Sequence, residues 1–331
     1  MRCAFILPRR PNFGVDQDYY VGSAYKYSEL LKLACEVDVV RADDPALGER
    51  VRAADFCAVR ADRFRHYEIA RDLERPWLTI AHDLAAMRDP ETEAARSERA
   101  LLEGAFGVVF ATEPLRVWAK PRYRLPATTV IPLRPLRSDL AFEPLVKLPG
   151  RTLVYAGGIG PMHAVHTPWG YRSNRLIFEA AIRGGWQVHV YPVTTRGGVD
   201  EEYRRAGCVV HKPVNERYIL RELSQYGAGL QVFWTEGVPS PAVEYVRLAW
   251  PNKSWLYQAA GIPTVGTNPG FEAARIYEGR WGIVLDSWLD LERLKPDDLP
   301  ALDDDLRERE VADRDLPKLR RLLARVTPAA H

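Results

Sequence analysis

Pro251-Asn252-Lys253-Ser254-Trp255-Leu256-Tyr257-Gln258-Ala259-Ala260-Gly261-Ile262-Pro263-Thr264-Val265-Gly266-Thr267 reads as a helix that stops at a glycine and runs straight into a short buried strand. Pro251 sits just ahead of the helix, where a missing N–H costs nothing. Gly261 suits the left-handed position that closes a helix, and Pro263 lies just beyond it. Ile262 to Val265 is an apolar run of the kind buried in a parallel sheet. The N-terminal end of such a helix favours an anion. The same stretch also fits an ordinary αβ unit of any doubly wound protein, so the rest of the chain must decide.

Outward from here the alternation repeats. Cys3 to Leu7, Val37 to Val40, Phe56 to Val59, Trp77 to Ala81, Phe106 to Ala111 and Thr128 to Pro132 read as strands. Ser23 to Ala34, with Ser23 as N-cap, and Glu91 to Glu103 read as helices. Leu133 to Gly150 holds Pro135, Pro144 and Pro149 and shows no clear period, as a linker does. The pattern then restarts. Thr152 to Ala156, Gln187 to Tyr191, Cys208 to His211, Gly229 to Phe233 and Gly282 to Leu285 read as strands. Ser173 to Arg183, Glu201 to Ala206, Glu216 to Gln225 and a segment near Phe271 to Tyr277 read as helices, and Asp303 to Ala324 as a charged amphipathic helix. Strands separated by helical patterns predict α/β domains with parallel sheets and crossover helices.

The bulk properties agree with this. A chain of 331 residues fits two domains, and 47% hydrophobic with 27% charged residues is an ordinary globular profile. A net charge of +2 excludes a polyanion binder by overall charge. Cys3, Cys35, Cys57 and Cys208 are far apart in sequence and show neither zinc spacing nor a disulfide framework, so a reducing cytoplasm is the expected setting. The apolar start Cys3 to Leu7 is too short for a signal peptide, and no run approaches a membrane span.

Glu236-Gly237-Val238-Pro239-Ser240-Pro241-Ala242-Val243-Glu244 carries two glutamates separated by seven residues, after a predicted strand. With the P-x-K-x-x-x-Y-x-A-x-G-x-P-x-V pattern from Pro251 to Val265, it resembles the donor-site motifs of retaining, nucleotide-sugar-dependent glycosyltransferases of the GT-B fold. The resemblance is diffuse over most of the chain and sharp from Val232 to Asp286. It implies GT-B architecture: two doubly wound Rossmann-like domains facing a cleft, with a C-terminal return helix. The expected division is 1–140 for the acceptor-side domain, 141–150 for the linker and 151–300 for the donor domain. The remaining segment, 301–331, would pack back toward the first domain.

The resemblance also implies roles. Glu236 would lie near the donor sugar and Glu244 would bind the ribose. Glu244 departs from the pattern, because Tyr245 to Trp250 intervene before Pro251 and Leu256 takes its aligned place. Gly157 and Gly158, in the loop after Tyr155-Ala156, would present backbone to the diphosphate, with Arg172, Arg175 and Lys253 neutralising it. Tyr257 of the signature falls in the same donor site, and Val214, in the loop Lys212-Pro213-Val214, would meet the base through its backbone. His82-Asp83 ends a strand where His82 would face the transferred sugar. Asp16 or Asp18, in the loop Pro11 to Gly22, would serve as general base if the enzyme inverts. The co-substrate would be a nucleotide diphosphate sugar, foremost a UDP-sugar, with no permanently bound cofactor and no metal. His163 and His166 lie three apart without further ligands nearby.

The acceptor stays open among a glycan, a small molecule and modified DNA. Arg116, Lys120, Arg122, Arg124, Arg134 and Arg137, with Trp118 and Tyr123 interleaved, form a basic-aromatic run, and Arg60, Arg63, Arg65, His66 and Tyr67 form a second. Such patches suit a phosphate backbone or an anionic lipid surface, and they are equally well read as solvated surface. A GT-B-shaped binding protein without turnover, and an epimerase on the same fold, are the other readings.

Overall fold

A computed structural model describes residues 1–7, 22–61, 75–193, 197–214, 216–249, 251–267, 276, 281–302, 304–309 and 311–326. Among these residues the strands form two separate sheets, each with six strands and all pairings parallel. The first sheet holds β1 (Arg2–Leu7), β2 (Glu36–Arg41), β3 (Phe56–Arg60), β4 (Trp77–Ala81), β5 (Gly107–Phe110) and β6 (Ala127–Val130), in the order β2-β1-β3-β4-β5-β6. The second holds β7 (Thr152–Ala156), β8 (Gln187–Tyr191), β9 (Val209–Val210), β10 (Ala228–Gln231), β11 (Thr264–Gly266) and β12 (Gly282–Val284), in the order β12-β11-β10-β7-β8-β9. Covered on both faces, the central strands are mostly apolar rather than alternating; β3 and β7 are buried at every position, Arg60 and Thr152 included.

The chain divides into two compact units. Among the described residues, one takes those up to Leu136 together with Ala312 onward, and the other takes Arg137–Val311. In the first unit, Ala4, Ile6, Val40, Val51, Cys57, Val59 and Leu101 form a core cluster. The C-terminal helix Leu316–Leu323 belongs to this unit, and its Arg320 guanidinium donates to Leu33 O at 3.3 Å. All four cysteines are free. Among the described residues no helix is long and apolar enough to cross a membrane.

The decisive stretch folds as its residues dictate. The helix spans Asn252–Ala260, preceded by Pro251 in extended conformation and closed by Gly261 at φ 69°, ψ 32°. The Ile262 N–H reaches Tyr257 O and the Gly261 N–H reaches Gln258 O, both at 3.1 Å, which is the paired capping of a Schellman turn. A Cβ at Gly261 would meet only the Arg307 side chain, at ordinary contact distance. Gly261→Ala is therefore expected to destabilise the protein by about 1–2 kcal/mol, from the left-handed backbone alone. Urea unfolding measures it, and an unchanged midpoint would refute the assignment.

Several predicted elements are corrected. The helix predicted from Glu91 starts at Glu93, where Thr92 Oγ1 accepts from the Ala95 N–H at 3.2 Å. A separate turn, Ala85–Arg88, precedes it, because Pro90 disfavours helical backbone at Asp89, which is extended. That helix, polar in sequence, buries Glu98 completely, with its carboxylate accepting from the Ala85 N–H and, at 2.7 Å, from the Tyr123 hydroxyl. Ser23 lies inside its helix, which begins at Gly22, rather than at the cap. Helices Leu47–Arg52, Glu113–Ala119 and Ser240–Leu248 were not anticipated. The tail, expected as one helix from Asp303 to Ala324, is broken into Asp304–Arg309, a 3-10 turn at Ala312–Asp315, and Leu316–Leu323. Pro317 has no N–H to give a continuous helix, and the Ala312 N–H is used by Pro135 O at 2.8 Å. The helix expected near Phe271 to Tyr277 falls, Ile276 apart, outside the described residues.

Candidate functional site

In the second sheet the strand order reverses between β7 and β10, and the carboxyl ends of two such strands are where an open α/β sheet receives a ligand. Four segments meet there. Gly157 to Pro161 follows β7, Trp169 to Arg172 leads into the helix Arg175–Arg183, Trp234 to Gly237 follows β10, and Lys253 stands in the first turn of the signature helix.

Lys253 and Arg172 converge on the glycine loop. A Cβ on Gly157 would lie 3.2 Å from Lys253 Cε, and one on Gly158 would lie 3.2 Å from Arg172 Nη1. Lys253 is only 6% exposed, with its ammonium over the Tyr155 and Phe233 rings at 4.6 and 4.5 Å. The Arg172 guanidinium stacks over Trp169 at 4.6 Å. Held against aromatic faces, these two basic side chains lose conformational freedom before any ligand arrives. The Gly157 N–H is taken by Tyr191 O and the Gly160 N–H by Arg172 O, whereas the Gly158 N–H meets no acceptor among the described residues.

A buried network, which sequence reasoning missed, fixes this loop. The Tyr203 hydroxyl donates to Gly160 O at 3.0 Å and accepts from the Asn174 N–H at 3.0 Å. Asn174, with no exposed surface, donates through Nδ2 to the Tyr155 hydroxyl and accepts at Oδ1 from the Trp234 N–H. Tyr155 OH in turn donates to Gly158 O, and Ser173 Oγ to Pro161 O. Burial pushes the Tyr155 and Tyr203 hydroxyls well above the ordinary phenol range, so both act as neutral donors at neutral pH. These contacts reach backbone groups up to sixty residues away and leave no motif behind.

Tyr257 departs from its expected role as a donor ligand. Its ring lies over Gly229, where a Cβ would come within 2.3 Å of it. Its fully buried hydroxyl accepts from the Ala156 N–H and donates to Leu230 O, both at 3.0 Å. The ladder between β7 and β10 pairs only Ala228 with Leu153 and Gly229 with Val154. Beyond it, the phenol stands between the strands in place of a direct bond, at the point where the crevice opens. Arg175 is also diverted: it pairs with Glu179 at 3.3 Å and Glu202 at 3.6 Å, and Glu202 also accepts from the Met162 N–H. Its charge is answered by carboxylates, so Arg172 is the arginine at the glycine loop.

Glu236 is exposed, with Oε1 accepting from the Trp288 indole at 3.2 Å. Glu244 is exposed on the helix Ser240–Leu248, whose buried residues are Ala242, Tyr245 and Val246. This helix starts at Ser240 with Pro241 in its first turn, where proline is favoured, so Glu236 precedes the helix and Glu244 lies within it. Val214 is half-buried just after β9. In the first unit, His82 is buried at the end of β4, edge-on to Tyr27, and Asp83 lies 3.8 Å from the Arg60 guanidinium. Arg60 is itself buried, so it does not contribute to a surface basic patch. Arg116 pairs with Glu113, and Arg122 stacks on Trp118. Asp16 and Asp18, like Arg63, Arg65, His66 and Tyr67, lie outside the described residues.

Beside Val214, the His211 ring stacks on Tyr191 at 4.2 Å, and its Nε2 lies 2.9 Å from His189 Nδ1. The Tyr226 hydroxyl is 3.3 Å from His189 Nδ1. Burial, with His211 adding, holds His189 down to about 4, and burial lowers His211 as well against the pull of Glu222. The unfolded chain therefore binds a proton at His189 near pH 6.5 and the folded chain only near 4. Stability from this site is complete above pH 6.5 and falls as pH drops toward 4, by up to about 3 kcal/mol. Urea midpoints measured at pH 7.5 and 4.5 test this. The pH-dependent loss should shrink in His189→Gln, and an unchanged loss there would rule out the site as its source.

No protein-family model and no curated protein sequence matches the chain. Solved structures do. Sucrose-phosphate synthase from Thermosynechococcus elongatus superposes with a TM-score of 0.69 at 13% identity, over 98% of this chain and 100% of that one. HepE from Anabaena, in complex with UDP-glucose, gives 0.57 at 11% identity, over 98% and 97%. The DNA-modifying β-glucosyltransferase gives 0.52 at 13%, over 98% and 97%. With its two parallel six-stranded sheets, the chain has the GT-B fold of these glycosyltransferases.

Proposed function

We propose that the protein is a glycosyltransferase that takes a sugar from a nucleotide diphosphate sugar, foremost a UDP-sugar, with retention at the anomeric carbon. The observation that carries this reading is the convergence of Lys253 and Arg172 on Gly157-Gly158 where the strand order reverses. A diphosphate has the charge that this pair answers, and arginine's fork matches its oxygens. As the glycosidic bond breaks, negative charge grows on the departing diphosphate. Two preset cations, the Gly158 N–H and a helix N-terminus stabilise that charge without reorganising. UDP is favoured among nucleotides because HepE, of the same fold, is known in complexes with UDP-glucose and with UDP. Retention rests on the likeness of the Glu236 segment to retaining enzymes.

Calorimetric titration with UDP, GDP and ADP and their glucose conjugates tests the reading. Binding of one nucleotide, followed by its release from the matching sugar conjugate, supports it. No heat with any of them at millimolar concentration would sink it. Transfer of labelled sugar to a glycan, a small molecule or hydroxymethylated DNA then identifies the acceptor.

A further inference from the structure

Glu236 has unusual supports for an exposed carboxylate. Its Oε1 accepts from the Trp288 indole N–H at 3.2 Å, across 52 positions of sequence. Its own carbonyl accepts from the Trp234 indole at 2.7 Å, and the two indole rings pack at 5.7 Å. The next residue, Gly237, is at φ 72°, and its carbonyl lies 3.2 Å from His166 Nδ1. Rings from three separate segments thus hold the backbone and the side chain of one residue pair. Trp288 is itself fixed at the start of a 3-10 turn. Ser287 Oγ accepts from the Leu289 N–H, and Asp290 accepts from the Ser287 N–H at 3.0 Å.

A free surface glutamate samples several rotamers and loses that freedom on binding. Here the loss is already met in the folded protein. No cation among the described residues pairs with Glu236. Its partner is a neutral indole, which orients the carboxylate but leaves its charge and the lone pairs of Oε2 available. A carboxylate aimed in this way beside two aromatic faces suits neighbouring hydroxyls on an otherwise apolar ring, which is the chemistry of a pyranose.

We propose that Trp288 is a positioning residue that orients Glu236 toward the sugar of the nucleotide sugar. This rests on the nucleotide-sugar reading above. Trp288 acts through Glu236, so its loss affects the sugar and spares the nucleotide.

The test compares wild type, Trp288→Phe, Glu236→Gln and the double variant, titrated with UDP and with UDP-glucose, UDP-galactose and UDP-N-acetylglucosamine. Trp288→Phe keeps an aromatic ring and removes the N–H. The preferred UDP-sugar is expected to lose about tenfold in affinity in each single variant, while UDP changes less than about twofold. The double variant is expected to lose little more than either single one, since both remove one interaction. Equal weakening of UDP and UDP-sugar would assign Trp288 a merely structural part and overturn the proposal. So would wild-type protein that binds UDP yet gains nothing from any of the three sugars. Wild type that does not bind UDP at all counts instead against the nucleotide-sugar reading.

Discussion

Lys253→Met is expected to weaken UDP binding about a hundredfold, or about 3 kcal/mol, with little change in melting temperature. Methionine retains most of the stem that packs against Tyr155 and Phe233 and removes the charge. The expected loss is large because Lys253 is almost fully buried beside Gly157, where the diphosphate would have little water to replace the missing partner. Arg175→Met provides the contrast. Its guanidinium is committed to Glu179 and Glu202, so UDP affinity should change less than about threefold. Calorimetry on the two variants decides between them. Equal losses, or a larger one at Arg175, would place the anion elsewhere.

Tyr257→Phe is expected to destabilise the protein by about 2–4 kcal/mol although the ring is kept. The hydroxyl answers two buried backbone groups, the Ala156 N–H and Leu230 O. Its removal leaves both without that partner, at about 1–3 kcal/mol for each buried group left unsatisfied. Gly229 leaves room for the ring but none for a side chain of its own, so the strands have no ready alternative. Urea unfolding gives the stability change. The same substitution should weaken UDP binding less than Lys253→Met does, because it moves the wall of the crevice rather than a phosphate partner. A variant as stable as wild type would show that the hydroxyl does not bridge the strands.

Much of the fold was legible because its signals are short-range. Gln187 to Tyr191 was read at its observed bounds, since an alternating β-branched stretch after Gly184-Gly185 is a local signal that needs no distant partner. The helices that escaped, Leu47–Arg52, Glu113–Ala119 and Ser240–Leu248, are short, and two of them carry prolines that read locally as loop. The tail read as one helix because its apolar spacing continues through the break. Pro317 is a local signal of the break, but the bond from Ala312 to Pro135, across the sequence, is what only the tertiary structure shows.

The candidate site divides along the same line. The stretch from Pro251 to Val265 determined its own structure, since a proline ahead of the first turn, a glycine at positive φ and an apolar run act within a few residues. That local grammar placed Lys253 at a helix N-terminus. Tertiary structure alone decided which arginine joins it. Arg172 and Arg175 are three residues apart, yet one stacks over Trp169 at the glycine loop and the other turns to Glu179 and Glu202. It likewise turned Tyr257 from an expected ligand into a bridge between strands, set Glu244 on the outer side of its own helix, and brought Trp288 to Glu236. The physical reason is that side-chain direction depends on where a helix begins and on what packs against it. Both are settled by contacts tens of residues away in sequence.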